Sequence, residues 1–164
     1  MESEKQMIDF QRIDDSIKPQ VKAFIRQNWG SELMISRGRI HVVADLDGFV
    51  ITEHNEIIGL ITFSITSGEC EIVSLDSIRE GQGIGSMLIN LVSEIATKEQ
   101  CRRIWLYTTN DNTNSLKFYQ KRGFDICGFY RNSVDMARQI KPEIPTHGKF
   151  GIEIKHEFEL ERLL

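Results

Sequence analysis

The sequence predicts a mixed α/β domain in which a mostly antiparallel sheet of six to seven strands is flanked by helices. Residues 49–75 hold three β-rich runs separated by the polar turns His54-Asn55-Glu56 and Ser67-Gly68, the pattern of an antiparallel meander. The meander runs into Gly81, Gly83 and Gly85, and then into a helix. There Ile84, Met87, Leu88, Leu91, Val92 and Ile95 recur at i, i+3, i+4, i+7, i+8 and i+11. Strand patterns resume at 103–109, 124–130 and 156–160, with one short helix between the first two.

Each element has a local reason. Residues 8–13 alternate apolar and polar and form a first strand. Asp14, Asp15 or Ser16 then caps a helix with Pro19 in its first turn, an apolar stripe of Val21, Phe24, Ile25 and Trp29, and Gly30 at its end. Residues 31–46 carry Arg37-Gly38-Arg39 and Ile40-His41-Val42-Val43 with no clean period. Beyond the central helix, Arg103-Ile104-Trp105-Leu106-Tyr107-Thr108-Thr109 is rich in β-formers, and Asn110-Asp111-Asn112 breaks it and caps a helix over 113–121. Gly123 closes that helix. Residues 133–140 suggest a turn or two of helix stopped by Pro142, followed by a loop and the last strand.

Composition bounds the function. The 164 residues suit one domain over 1–164, and 40% apolar with 27% charged residues is ordinary for a globular chain. A net charge of −4 provides no general basic surface, so nucleic acid is not an expected partner. Cys70, Cys101 and Cys127 are few, odd in number and widely spaced, which reads as buried thiols. Met1-Glu2-Ser3-Glu4-Lys5 lacks the features of a signal peptide, and no apolar run is long enough to span a bilayer. A cytoplasmic protein with no membrane partner is expected. The four histidines have no metal-ligand spacing and no nucleophile elbow is present, so no metal is expected.

The chemistry is organised around residues 72–96. A glycine turn opening a helix leaves bare backbone N–H groups at the positive end of the helix dipole, a seat for phosphate or pyrophosphate. A P-loop would need Lys and then Ser or Thr after its last glycine, whereas Gly85 is followed by Ser86 and Met87. A dinucleotide fingerprint would need G-x-G-x-x-G in a parallel unit, and neither the spacing nor the preceding antiparallel strands agree. The segment Glu80-Gly81-Gln82-Gly83-Ile84-Gly85 resembles the R/Q-x-x-G-x-G/A signature of the GCN5-related N-acetyltransferase (GNAT) superfamily. Cys70-Glu71-Ile72-Val73-Ser74-Leu75 looks like that family's fourth strand. Asn112-Thr113-Asn114-Ser115-Leu116-Lys117-Phe118-Tyr119-Gln120-Lys121-Arg122-Gly123-Phe124 matches its second signature, N-x-x-A/S-x-x-F-Y-x-x-x-G-F. Two departures stand out: Glu80 occupies the usual Arg/Gln place with Arg79 one position early, and the link from Leu75 to Gly81 is short and lacks its proline.

The resemblance implies a GNAT-like fold and an acetyl-CoA-dependent N-acetyltransferase acting on a primary amine of a small molecule or peptide. The other reading is a non-catalytic acyl-CoA-binding or sensing module. By the same resemblance, Glu71 is the general base and Tyr119 the acid that protonates the departing thiolate. Each also has a plain structural alternative, as a paired strand carboxylate and a core aromatic. The backbone of Leu75, Asp76 and Ser77 is implied to meet pantetheine amides and the acetyl carbonyl. Gln82, Gly83, Ile84, Gly85 and Ser86 would donate N–H groups to the pyrophosphate, and Asn112 would contact the coenzyme arm or simply cap its helix. Lys117 and Lys121 could meet a nucleotide phosphate. The acceptor pocket is expected from the first helix, the loops over 29–47 and residues 132–151. Exposed sheet edges, again by resemblance, allow a homodimer.

Overall fold

The computed structural model describes residues 8–164; the stretch Met1 to Lys5, which the sequence reading used, lies outside the described residues. Strand β1 (Ile8–Arg12) leads into helix α1 (Lys18–Trp29). Asp14 Oδ1 accepts from the backbone N–H of Ser16 at 2.9 Å and organises the entry. Gly30, left-handed at φ 70°, returns its N–H to Arg26 and ends the helix. The unreadable stretch after it is a small hairpin, β2 (Leu33–Ser36) and β3 (Arg39–Val42), and then a 3-10 turn. It forms its own two-stranded sheet, turning at Arg37-Gly38, both at positive φ.

The meander follows as β4 (Asp47–Glu53), β5 (Glu56–Thr66) and β6 (Glu69–Ser77). His54-Asn55 and Ser67-Gly68 all take positive φ, which suits two-residue hairpin turns. Helix α2 (Ile84–Lys98), strand β7 (Arg103–Thr109), helix α3 (Thr113–Gln120), strand β8 (Asp125–Tyr130), helix α4 (Ser133–Ile140) and strand β9 (Glu157–Leu163) complete the chain. The main sheet has seven strands in the order β1-β4-β5-β6-β7-β9-β8, antiparallel throughout except between β6 and β7. The sequence-predicted α/β sheet of six to seven strands is the observed one.

Helices cover both faces. Leu88, Ile89, Val92 and Ala96 of α2 pack on Ile51, Ile61, Phe63, Ile72 and Leu106, while Val21, Phe24 and Ile25 of α1 pack on Val50, Ile57 and Leu60. Two irregularities in β6 position the site. Its pairing with β7 covers only Glu69↔Arg103, Cys70↔Ile104 and Glu71↔Trp105, after which the strands separate. Val73 is a bulge, since Ile72 pairs with Phe63 and Ser74 with Thr62.

One cysteine departs from expectation. Cys70 and Cys101 are buried, but Cys127 is exposed. It is the extra residue of a bulge on the edge strand β8, between Ile126↔Leu160 and Gly128↔Glu159, so no neighbouring strand covers it. Among the described residues no helix is long and apolar enough to cross a membrane.

Candidate active site

The parting of β6 from β7 opens the middle of the sheet. In an antiparallel pair alternate residues turn their N–H toward the partner. Ile78 donates to Ile58 of β5 at 3.1 Å, and Asp76 pairs with Leu60, so the two-residue period turns the N–H groups of Leu75 and Ser77 away from β5. They face the gap that β7 has left. Just beyond, Gly81 and Gly83 adopt φ of 77° and 75°, and Met87 makes the first helical bond of α2, to Gly83 at 3.0 Å. The N–H groups of Ile84, Gly85 and Ser86 therefore have no partner within the helix and point into the same opening.

A groove of about 570 Å³ joins these features. Leu75 and Ser77 line one wall, the glycine turn the floor, and Asn114, Lys117, Phe118, Tyr119, Lys121 and Arg122 of the α3 region the other. Gly85 is required by closeness: a Cβ there would sit 2.8 Å from Cζ of Phe118. Arg122 locks this wall, stacking on the Phe118 ring at 3.5 Å and donating from Nε to Ser86 Oγ at 2.8 Å. Tyr119 is 6% exposed, its ring edge-on to Phe118 and Phe124 at 5.1 and 5.4 Å. Burial, and then the charge of Asp76, push its phenol upward, so it stays a proton donor through the neutral range.

The opposite face carries carboxylates. Side chains of directly paired residues share a face, so Ser64↔Glu71, Thr62↔Ser74 and Leu60↔Asp76 place Glu71, Ser74 and Asp76 together on the α1 side. The Val73 bulge makes this so, because an unbroken strand would turn residues 71 and 76 to opposite faces. Glu71 is 5% exposed, with Arg39 Nη1 at 2.8 Å and His41 Nε2 at 3.7 Å from its Oε2. Burial raises its pKa and Arg39 opposes that, leaving a net upward shift. His41 is held below the ordinary histidine value by burial and by Arg39, hence neutral near pH 7. The Arg39 guanidinium also lies 5.6 Å from the Trp105 ring. The hairpin is pinned by Ser36 donating to Glu157, by Arg37 stacked 3.4 Å over Tyr130, and by Lys141 donating to Leu33 O at 3.3 Å.

The model of the Acetyltransferase (GNAT) family matches residues 11–124, more than half of the chain. The chain belongs to the GNAT acetyltransferase family. Two curated proteins of Bacillus subtilis (strain 168) are similar along nearly its whole length. Uncharacterized protein YdhI is 45% identical over 86% of this chain and 89% of its own, and uncharacterized protein YxbD 40% identical over 90% and 93%. Among solved structures, the IAA acetyltransferase from Bacillus cereus ATCC 14579 superposes with a TM-score of 0.72 at 19% identity, covering 96% of this chain and 100% of that one. A GNAT family acetyltransferase from Elizabethkingia anophelis with acetyl-CoA bound gives 0.67 at 22% identity, over 96% and 98%. These likenesses carry the fold.

In this GNAT chain, Tyr119, Leu75, Ser77, Gly83, Ile84 and Gly85 come together at the groove. Gln82 is exposed on the turn, and Ser86 is engaged by Arg122. Asn112 serves as the N-cap of α3, its Oδ1 accepting from Ser115 N at 3.2 Å, and is not on the groove wall. Asp76 contributes a side chain as well as backbone, which the sequence left unremarked. Arg79 reaches the groove rim but its guanidinium pairs with Glu53, which it holds below the usual carboxylate range. Among the described residues no cluster of metal-binding side chains is found.

Proposed function

We propose that this GNAT chain, acting as a single domain over 1–164, is an acetyl-CoA-dependent N-acetyltransferase for a primary amine of a small molecule or peptide. The observation that carries the proposal is the gap between β6 and β7, with free backbone N–H groups along one side and a protonated, buried phenol at its edge. The glycine turn, Lys117, Lys121 and Arg122 suit the phosphates of coenzyme A, and Leu75 to Ser77 suit its pantetheine amides and acetyl carbonyl. A lysine-like amine is mostly protonated at pH 7, at a cost of about 4–5 kcal/mol in its reactive fraction. Glu71 takes that proton, directly or through water. The neutral nitrogen attacks the thioester carbon, the tetrahedral oxygen is held by a Leu75-region N–H, and the C–S bond breaks as Tyr119 protonates the sulfur; the nitrogen sheds its second proton to water, and water returns one to Tyr119. A cytoplasmic location belongs to the same proposal.

A thiol-release assay with acetyl-CoA over polyamines, amino acids, aminoglycosides and peptide N-termini tests it. Amine-dependent release, abolished above background by Glu71→Gln, is expected. Tight acetyl-CoA binding with no release on any acceptor would replace the enzyme by a binding or sensing module.

A further inference from the structure

Asp76 occupies an unusual place in this molecule. Its neighbours Leu75 and Ser77 line the groove, so its own side chain crosses to the α1 face. Trp29, at the last residue of α1, donates from Nε1 to Asp76 Oδ2 at 2.8 Å. The other oxygen makes no hydrogen bond among the described residues and is not sealed from solvent. The nearby sheet carboxylates are matched differently: Glu53 has Arg79, Glu71 has Arg39, and Glu159 has Arg103. Asp76 has no cation among the described residues. From α1 it meets the indole and from β5 it pairs with the apolar Leu60, while its charge is felt by the phenol of Tyr119 on α3. A half-buried carboxylate with one oxygen fixed, one free and no counter-ion is a receptor for a small cation.

We infer that Asp76, oriented by Trp29, receives the ammonium group of the acceptor and holds it beside the opening between β6 and β7. This rests on the acetyl-transfer proposal for the word acceptor, and it deepens it by assigning a binding residue. Asp76 binds the charged amine, and Glu71, four ladder positions away on the same face, accepts its proton through water. The ligand class is a primary alkyl- or arylammonium ion. Burial raises Asp76 to about 6, so the receptor is charged at neutral pH and is lost as pH falls through that value.

The chain has two tryptophans, Trp29 and Trp105, so the indole N–H region of a ¹H–¹⁵N spectrum holds two signals, assigned with Trp29→Phe. Full-length protein saturated with coenzyme A is titrated with benzylammonium chloride at pH 7.5 and pH 5.0, with benzyl alcohol as neutral control. The expected result is a saturable shift of the Trp29 indole signal at pH 7.5, at least tenfold weaker at pH 5.0 and in Asp76→Asn, with no response to the alcohol. No response at pH 7.5, an equal response to the alcohol, or equal binding at the two pH values would overturn the assignment. The pH comparison uses wild-type protein and stands whether or not the variant folds. Because the readout needs no turnover, an ammonium response without thiol release from any amine would retain the Asp76 site and discard the transferase.

Discussion

Replacing Asp76 by Asn should make the protein more stable at neutral pH. An aspartate titrates at 3.8 in an unfolded chain and at about 6 in this fold, because burial penalises its charge more than the Trp29 hydrogen bond relieves it. Between pH 4 and 6 the unfolded chain has released the proton that the folded chain keeps, so stability falls as pH rises across this window. Two units at about 1.4 kcal/mol each give a loss of about 3 kcal/mol, and solvent reaching the half-buried group trims this to about 2–3 kcal/mol. Above pH 6 the deficit is constant. Asparagine carries no charge to desolvate, and its carbonyl can still accept from Trp29. Urea denaturation of wild type and Asp76→Asn at pH 4.0 and 7.5 reads the difference directly, since the remaining titrations are common to both. The two proteins should be nearly equal at pH 4.0, with the variant ahead by about 2–3 kcal/mol at pH 7.5. A variant less stable at pH 7.5, or a gap that is the same at both pH values, would refute the reasoning.

Three further outcomes follow from the geometry. Tyr119→Phe leaves the ring between Phe118 and Phe124 and removes no hydrogen bond among the described residues. Its melting temperature and coenzyme A affinity should hold while kcat falls about 100-fold, and unchanged kcat in a thiol-release assay would remove Tyr119 from the chemistry. Arg39→Ala removes the cation that draws the Glu71 pKa down, so the acid limb of the kcat/KM profile should move to higher pH; a limb that stays in place would show that Glu71 does not govern it. Gly85→Ala puts a methyl group 2.8 Å from Phe118 and disturbs the wall that Arg122 closes. Coenzyme A affinity should drop at least tenfold, by calorimetry, for a stability cost of about 1–3 kcal/mol.

Much of the architecture was legible because its signals are local. Positive-φ turns such as His54-Asn55 and Ser67-Gly68 announce hairpins, and the apolar stripe of α2 announces a helix docked on a sheet. Tyr119 and the glycine turn were found by the motifs that surround them. The hairpin β2–β3 was not legible, since four-residue strands whose residues are all partly or wholly exposed leave no periodicity to read. Arg39 and His41 meet Glu71 only after the chain has folded across the sheet. The same holds for Trp29 and Asp76, which lie 47 residues apart and become partners only where α1 ends over β6. Cys127 was misread because a β-like run does not disclose whether its strand is interior or an edge.

The bulge in β6 makes strand length a variable separate from side-chain identity. Val73 is only half-buried and none of the hydrogen bonds or ion pairs described for the two faces involves its side chain. Alanine or threonine there should be tolerated. Deleting the residue is a different perturbation: it changes no group in the site and removes the bulge, leaving Ile72 and Ser74 as consecutive residues opposite the consecutive Phe63 and Thr62. Glu71 and Asp76 would then stand four positions apart in a regular ladder and still share the α1 face, while the local bend and added twist of the bulge would be lost. Relatives in this family should therefore either keep this count of residues together with the bulge or be one residue shorter with unbroken pairing.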